Sequence, residues 1–387
     1  MIHSALIYAI VFVITVFMGY IYQHKILSAS PIVSNEKVDI LFKQIIGFII
    51  ISCSIVFIAS VRLGVGSDYN ISLNTYNDAK SWGLKNIVDM GIINYNNHVG
   101  SLYLLLNYFS SLVIDDVHFS LFVCNMLILL MLYISLNSFK SDISIPFSLY
   151  IFCSILFSPM CNIIRQIMAT MIIMAGYKFL VNKKFFRYFL CVFIASLFHS
   201  SALFCLVFFA FNVLSIIKSE KKKNVIRIVY YIIVLLSPLI IYFLLNIIKD
   251  IPISLVQRYF KDYTLEYYNR IGSIIIRLGA IVPMFIYRKK IYDTIYETLF
   301  NVMLLDIAMT GISFFTKYGF RFVYYTLPAQ VILVSHIFKT LSPEDKKTKY
   351  IKAYYILYYA CLFIYQVILK GNDGINNYQW ILSTIGG

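Results

Sequence analysis

Charge is scarce in this chain: 13% of its 387 residues are Asp, Glu, Lys or Arg, against 60% that are hydrophobic. A soluble globular domain carries about a quarter of its residues charged, so that class is excluded. Other absences narrow the reading further. No Cys pair has metal-ligand spacing, the HExxH pattern is missing, and no second His or Cys stands at ligand spacing from the candidate histidine discussed below. The first apolar run, 4–22, has neither a basic start nor a small-residue cleavage site, and it reads as a retained span rather than a signal peptide. No internal repeat signals an inverted-repeat transporter. The largest pieces outside apolar runs are the outer loop regions 62–100 and 248–270, neither apolar enough to hold a core alone. The chain therefore reads as one integral membrane domain, 1–387.

What the chain does have is length of apolar sequence. Runs of 17–23 residues recur and the mean hydropathy is +0.79, which predicts an all-α, polytopic membrane protein. The spans fall near 4–22, 41–61, 117–136, 143–160, 162–181, 185–198, 200–217, 228–247, 271–287, 296–315, 321–338 and 352–369, about twelve in all. A net charge of +15 could suggest nucleic acid. The Lys and Arg sit in short loops between spans, however, where they set topology, and no nucleic-acid partner is expected. The seven cysteines lie within or at the ends of apolar runs, which argues against a disulfide framework. The aromatic excess, 32 Tyr and 32 Phe, fits an AT-rich coding sequence and carries little functional weight by itself.

Basic loops orient the middle and end of the chain. Lys183-Lys184 with Arg187, Lys218 to Arg227, Arg288 to Lys290 and Lys339 to Lys352 read as cytoplasmic. Segments 158–165, 198–201, 248–270 and 315–321 then face the periplasm or exterior. Parity of the loops makes the short apolar stretch 101–114 re-entrant. The alternative is a full short span with the N-terminus inside, which moves Asp68 to the cytoplasm.

Within this frame Arg165 and His199 share a membrane level. From Arg165 to Lys183 is 18 residues, about 27 Å of helix, and the return from Lys184 to His199 is 15 residues, about 22 Å. The 18-residue interval recurs from Arg270 to Arg288 and from Arg321 to Lys339, placing Arg165, Arg270 and Arg321 at one outer level. Arg277 lies two turns further into its helix. Arginines at that depth either snorkel to lipid headgroups or face a watery cavity, and as a set they suit a phosphate or pyrophosphate. His199 could act as a base or proton donor, or simply bond a backbone carbonyl at a helix end. Asp68, in Gly66-Ser67-Asp68-Tyr69, could activate a sugar hydroxyl with Arg62 as a further phosphate contact; the same residues also form turns and caps. Tyr76, Trp82, Tyr95, Tyr103 and Tyr108 could stack on sugars or serve as interfacial aromatics. Asp306, deep in its span, could pair with an arginine. The aromatic and charged loop 257–270 fits either a glycan or an interfacial helix.

These residues resemble the Wzy-type polysaccharide polymerases, in particular the EpsG-like family. The likeness lies in Arg62 with Gly66 to Tyr69, in Ile164-Arg165-Gln166 with Ala169, and in the Lys183-Lys184 turn. It continues in Phe198 to Ala202, in Asn269-Arg270 before a span, and in Arg321 with Tyr324 near Pro328. Ser67 stands where the family often has Thr, and Asn377 where it often has Pro. The resemblance implies a GT-C-like membrane fold, about twelve spans with one short re-entrant helix, in the bacterial inner membrane. It also implies repeat-unit polymerisation of undecaprenyl-pyrophosphate-linked glycans into O-antigen or a related surface polysaccharide. On that reading Arg165, Arg270, Arg321, Arg62 and Arg277 contact pyrophosphate, and His199 and Asp68 serve the chemistry. Gln166, Tyr69, Asn269 and Tyr324 contact substrate. No cofactor or metal is expected; membrane lipid and a chain-length regulator protein are the partners implied. A lipid-linked oligosaccharide flippase and an O-antigen ligase are the alternatives. A flippase would spread its charges through the depth of the membrane, whereas most of these lie at one level.

Overall fold

The computed structural model describes residues 2–28, 36–89, 93–94, 99–210, 219–248, 271–291, 293–314, 319–341, 346–375 and 378–380. Apart from a two-residue pairing of Ile93–Asn94 with Val99–Gly100 and a single bridge between Arg62 and Trp380, these residues are mostly helical. In order they form α1 (Ile2–Ile21), α2 (Glu36–Ser60), α3 (Tyr69–Asp89), α4 (Ser101–Val113) and α5 (Val117–Ser138). There follow α6 (Ile145–Ile155), α7 (Phe157–Asn162), α8 (Ile164–Val181) and α9 (Phe185–Phe198). The remainder is α10 (Glu220–Ile248), α11 (Ile271–Ile291), α12 (Thr294–Ile312), α13 (Leu327–Thr340) and α14 (Lys346–Phe363). Short 3₁₀ segments, Ser200–Phe208, Gly319–Tyr325 and Asn372–Gly374, join or follow them.

Six stretches among the described residues are long and apolar enough to cross a membrane: 3–26, 42–60, 117–138, 164–181, 271–288 and 346–369. Of the remaining expected spans, 228–247 lies within the 29-residue α10 and 296–315 overlaps the 19-residue α12, while 185–198 is a 14-residue helix. Residues 143–160 divide at Leu156 into α6 and α7, while 200–217 and 321–338 open as 3₁₀ turns. The stretch 101–114 forms a 13-residue helix, about 20 Å long and shorter than the hydrocarbon core. Most of 62–100 is α3, not loop. Its buried face is Tyr69, Ser72, Thr75, Tyr76 and Ala79, a helical stripe too polar to register as apolar periodicity.

α8 sits at the centre. Almost every residue from Ile164 to Val181 is buried, against α5 and α9 on its sides and α12 and α13 beyond. Such a bundle must satisfy each backbone carbonyl internally wherever a helix is interrupted. Tyrosine does much of this. Tyr177 donates to Tyr325 O at 2.9 Å, Tyr188 to Cys205 O at 3.2 Å and Tyr150 to Ile356 O at 2.6 Å. In α11, Pro283 has no N–H to offer Gly279 O four residues back. The Tyr354 hydroxyl from α14 donates to that carbonyl at 2.7 Å, beside Tyr355, which donates to Ala280 O at 3.1 Å.

Opposite the site described below, polar contacts tie the helix ends together. His336 on α13 bridges Asp142 O at 2.8 Å and Asp293 Oδ2 at 2.7 Å, and Lys178 meets Asp142 Oδ2 at 3.0 Å. Lys183 takes a positive φ of 57°, which turns the chain sharply from α8 into α9.

If Tyr354 replaces the proline-orphaned donor, Tyr354→Phe should destabilise the protein by about 1 kcal/mol. That cost should shrink in a Pro283→Ala background, where the restored N–H takes Gly279 O. Thermal unfolding of the four proteins of this cycle checks it; an undiminished cost in the Pro283→Ala background would refute the account.

Candidate active site

The site residues sit where helices break. α7 ends at Asn162 and α8 begins at Ile164, with Ile163 between them at φ −91° and ψ 55°. This jog turns Asn162 toward the Gly66–Asp68 turn and leaves Arg165 in the first turn of α8. His199 ends α9 in an extended conformation, φ −152° and ψ 113°, and starts the following 3₁₀ segment. Arg321 belongs to the 3₁₀ segment Gly319–Tyr325. Asp68 precedes α3.

These four segments converge on one small open pocket of about 20 Å³, lined by Asp68, Ser72, Asn162, Arg165, Gln166, His199 and Arg321 among others. The common level deduced from helix lengths for Arg165, His199 and Arg321 thus corresponds to a shared cavity. The Arg165 guanidinium lies over the Tyr103 ring at 5.9 Å, and its Nη1 is buried and makes no hydrogen bond. A buried charged donor without an acceptor is costly, and its chemistry suits an anion. Gln166 is fixed by donating to Arg321 O at 2.5 Å, and its Oε1 is likewise buried and unbonded. His199 Nδ1 is 2.7 Å from Ser201 Oγ, which is 2.8 Å from the buried Tyr325 hydroxyl.

A residue that sequence reasoning missed organises the rim. Asn162 Oδ1 accepts from Asp68 N at 2.7 Å and Ser67 Oγ at 3.0 Å, while its Nδ2 donates to Asp373 Oδ1 at 3.1 Å. Asp373 also accepts from Ser158 Oγ at 2.8 Å. The backbone follows suit: Gly66 N and Ser67 N donate to Gly374 O and Asp373 O at 3.2 and 3.0 Å. Gly66 is required here, since at φ +100° an added Cβ would lie 2.5 Å from Cys161 O. Burial pushes the Asp373 carboxyl above its ordinary value of 3.8 despite the bonds from Ser158 and Asn162, and the charge of Asp68 adds to the rise. No motif marks Asp373; it meets its partners across 211 and more positions of chain.

Other expected residues lie elsewhere. Arg62 is fully buried, donates to Ala59 O and Val65 O, and does not line the pocket. Its backbone pairs with Trp380, and its Nη2, like Arg165 Nη1, is buried without a hydrogen bond. Arg277 pairs with the buried Asp306, Nε to Oδ2 at 3.4 Å, and is outside the pocket lining too. Tyr69 packs its hydroxyl 3.4 Å from His118 Nε2. Tyr324 is buried but within electrostatic reach of Arg321, Arg277, Asp68 and Asp373. Of the tyrosines considered for sugar stacking, Tyr103 serves Arg165, and Tyr76 donates to Asp115 at 3.0 Å. Arg270, Asn269, Tyr95 and Asn377 lie outside the described residues, as does the whole of the loop 257–270.

Fold and pocket together define a polytopic helical membrane protein with a cationic pocket at one end of its bundle. The comparison with known families gives the particular group: the EpsG family matches residues 45–380, most of the chain. The chain belongs to the EpsG family, the EpsG-like branch of the Wzy-type polymerases, and a general polysaccharide polymerase-like role comes with it. No curated protein and no solved structure matches the chain.

The two arginines should separate cleanly by experiment. Arg62→Ala removes donors from two buried carbonyls and should lower the melting temperature by several degrees, whereas Arg165→Met should leave it level or raise it. A carboxyl raised on folding contributes most below its unfolded value, near 3.8, and loses that contribution as pH climbs through the raised folded value. Asp373→Asn keeps a partner for both Ser158 and Asn162 without the charge. It should therefore melt higher than the parent at pH 7, with the gain vanishing toward pH 4. Melting below the parent at both pH values would overturn that account.

Proposed function

We propose that this protein polymerises lipid-linked oligosaccharide repeat units into O-antigen or a related surface polysaccharide. The work would take place at the periplasmic face of the bacterial inner membrane. The growing glycan leaves its undecaprenyl pyrophosphate and joins a sugar hydroxyl at the non-reducing end of the next lipid-linked unit. The observation that supports this reading best is the buried, unbonded Arg165 Nη1 in a pocket shared with Arg321 and the Asp68 carboxylate. Two guanidinium groups over one carboxylate make a pocket with a surplus of positive charge, suited to an anion that brings several oxygens.

In the reaction the hydroxyl oxygen attacks the anomeric carbon of the growing chain. The bond from that carbon to the pyrophosphate oxygen breaks, and its electron pair leaves with the pyrophosphate. The hydroxyl proton passes to Asp68, whose carboxylate makes no hydrogen bond among the described residues and borders the pocket. Arg165 and Arg321 stabilise the charge that grows on the leaving oxygens. Fixed guanidinium groups supply what a divalent cation supplies in other transferases. His199, steadied through Ser201 and Tyr325, faces the same pocket and acts on the departing pyrophosphate. Gln166 Oε1 accepts from a sugar hydroxyl, and Tyr324 and Tyr69 support the walls. Arg270 is assigned to the pyrophosphate and Asn269 to the substrate. A chain-length regulator protein completes the proposed set of partners.

Purified protein in proteoliposomes, given its lipid-linked repeat unit, should produce a ladder of polymer that survives chelator. Arg165→Ala should cut product by about 10²–10³-fold with normal insertion, the usual cost of removing one such donor. Full polymer from Arg165→Ala would sink the arginine assignment, and loss of the ladder with chelator would sink the metal-free mechanism. In cells, deletion should leave single repeat units on the lipid anchor; absence of attached glycan would indicate a ligase, and units retained in the cytoplasm a flippase.

A further inference from the structure

On the outside of the bundle α2 and α5 part to leave an open apolar groove of about 390 Å³. Its walls are Ile49, Cys53, Val56 and Phe57 from α2, with Phe122 and Met126 from α5. Ile49, Phe57 and Phe122 are 55%, 51% and 41% exposed, so the groove opens toward lipid in a membrane protein of this class. From Ile49 to Ser60 is about 16 Å of helix, close to half a hydrocarbon core of about 30 Å. The groove therefore runs through one leaflet, from the end of α2 nearest Asp68 to the middle of the membrane.

That near end holds the groove's ionisable group. His118 opens α5 and is fastened by Asp116, which accepts from its backbone N–H at 2.5 Å and meets its Nδ1 at 3.1 Å. On its other side His118 Nε2 meets the Tyr69 hydroxyl at 3.4 Å. Tyr69 is the residue after Asp68, which lines the cationic pocket. The buried Tyr69 side chain thus stands between the polar end of the groove and the rim of the pocket. Elsewhere the lining offers little polarity: the Ser52 hydroxyl is spent on Phe48 O of its own helix at 2.6 Å. An anionic head in the pocket and a hydrocarbon chain in the groove would be parts of one molecule.

We propose that the groove between α2 and α5 seats the polyprenyl chain of a lipid-linked glycan whose pyrophosphate occupies the Arg165–Arg321 pocket, with Tyr69 and His118 as the threshold between them. The proposal rests on the reading of that pocket as a pyrophosphate site. A polyprenyl chain is favoured over a phospholipid acyl chain because the groove adjoins a pocket with a surplus of positive charge, which selects a single chain ending in pyrophosphate.

The test uses the full chain in proteoliposomes with an undecaprenyl phosphate that carries a photoactivatable diazirine along its chain, and peptide mapping of the adducts. Adducts should concentrate on 49–57 and 118–126, and unlabelled undecaprenyl phosphate should compete several-fold better than phosphatidylglycerol. Cys53→Trp, at an exposed position of the groove wall, should reduce those adducts several-fold with the melting temperature unchanged. Adducts spread evenly over exposed positions such as Phe186, Phe285 and Leu357 would overturn the proposal, as would equal competition by phosphatidylglycerol. The same preparation is assayed for polymer. Mapped adducts without polymer would uphold the groove and refute the polymerase reading; polymer without mapped adducts would refute the groove alone.

Discussion

The side-chain amide of Asn162 is the interaction on which the site depends. Its oxygen holds the Ser67–Asp68 turn and its nitrogen holds Asp373, so three distant segments share one planar group. Asn162 can do this because it stands at the break between α7 and α8, where the backbone no longer forces its side chain along a helix face. Arg165 follows three residues later, one turn into α8. The turn that carries the candidate base and the helix that carries the candidate phosphate ligand are thereby fixed to one another. Preorganisation of this kind is what transition-state stabilisation requires, since donors that move at the moment of reaction lose much of their effect.

A second constraint runs through the whole bundle. Every interruption of a helix frees carbonyls that the membrane interior cannot solvate. Some tyrosines answer it, Tyr8 at Ile375 O and Tyr177 at Tyr325 O among them, while Tyr230 at Asn301 O and Tyr296 at Met284 O donate to carbonyls within continuous helices. The abundance of tyrosine, which composition alone attributes to coding bias, has a structural use. Phenol suits the task, with an apolar ring for the packed interior and one donor at its tip.

Much of the architecture was legible in the sequence, for identifiable reasons. Apolar runs fix helices because burial in lipid leaves little alternative, and the ends of α5, α8 and α9 fall close to where the runs stop. Arg165, His199 and Arg321 could be placed together because helical rise converts spacing into depth, and all three line one pocket. Depth says nothing of rotation around the bundle, which is why Arg62 and Arg277 joined the expected set although neither lines the pocket. Asp373 and the polar face of α3 left no trace in periodicity or motif. Their meaning lies in long-range contacts that a linear reading does not contain.

The clamp formed by Asp373, Gly374 and the strand-like pairing of Trp380 with Arg62 has a consequence in time. Residues 371–380 leave the ribosome after every other element around the pocket. Until they arrive, the Gly66–Asp68 turn lacks its backbone partners and Asn162 its carboxylate. A nascent chain would carry its arginines into the membrane well before the candidate base is locked beside them, so assembly of the pocket waits on this late segment.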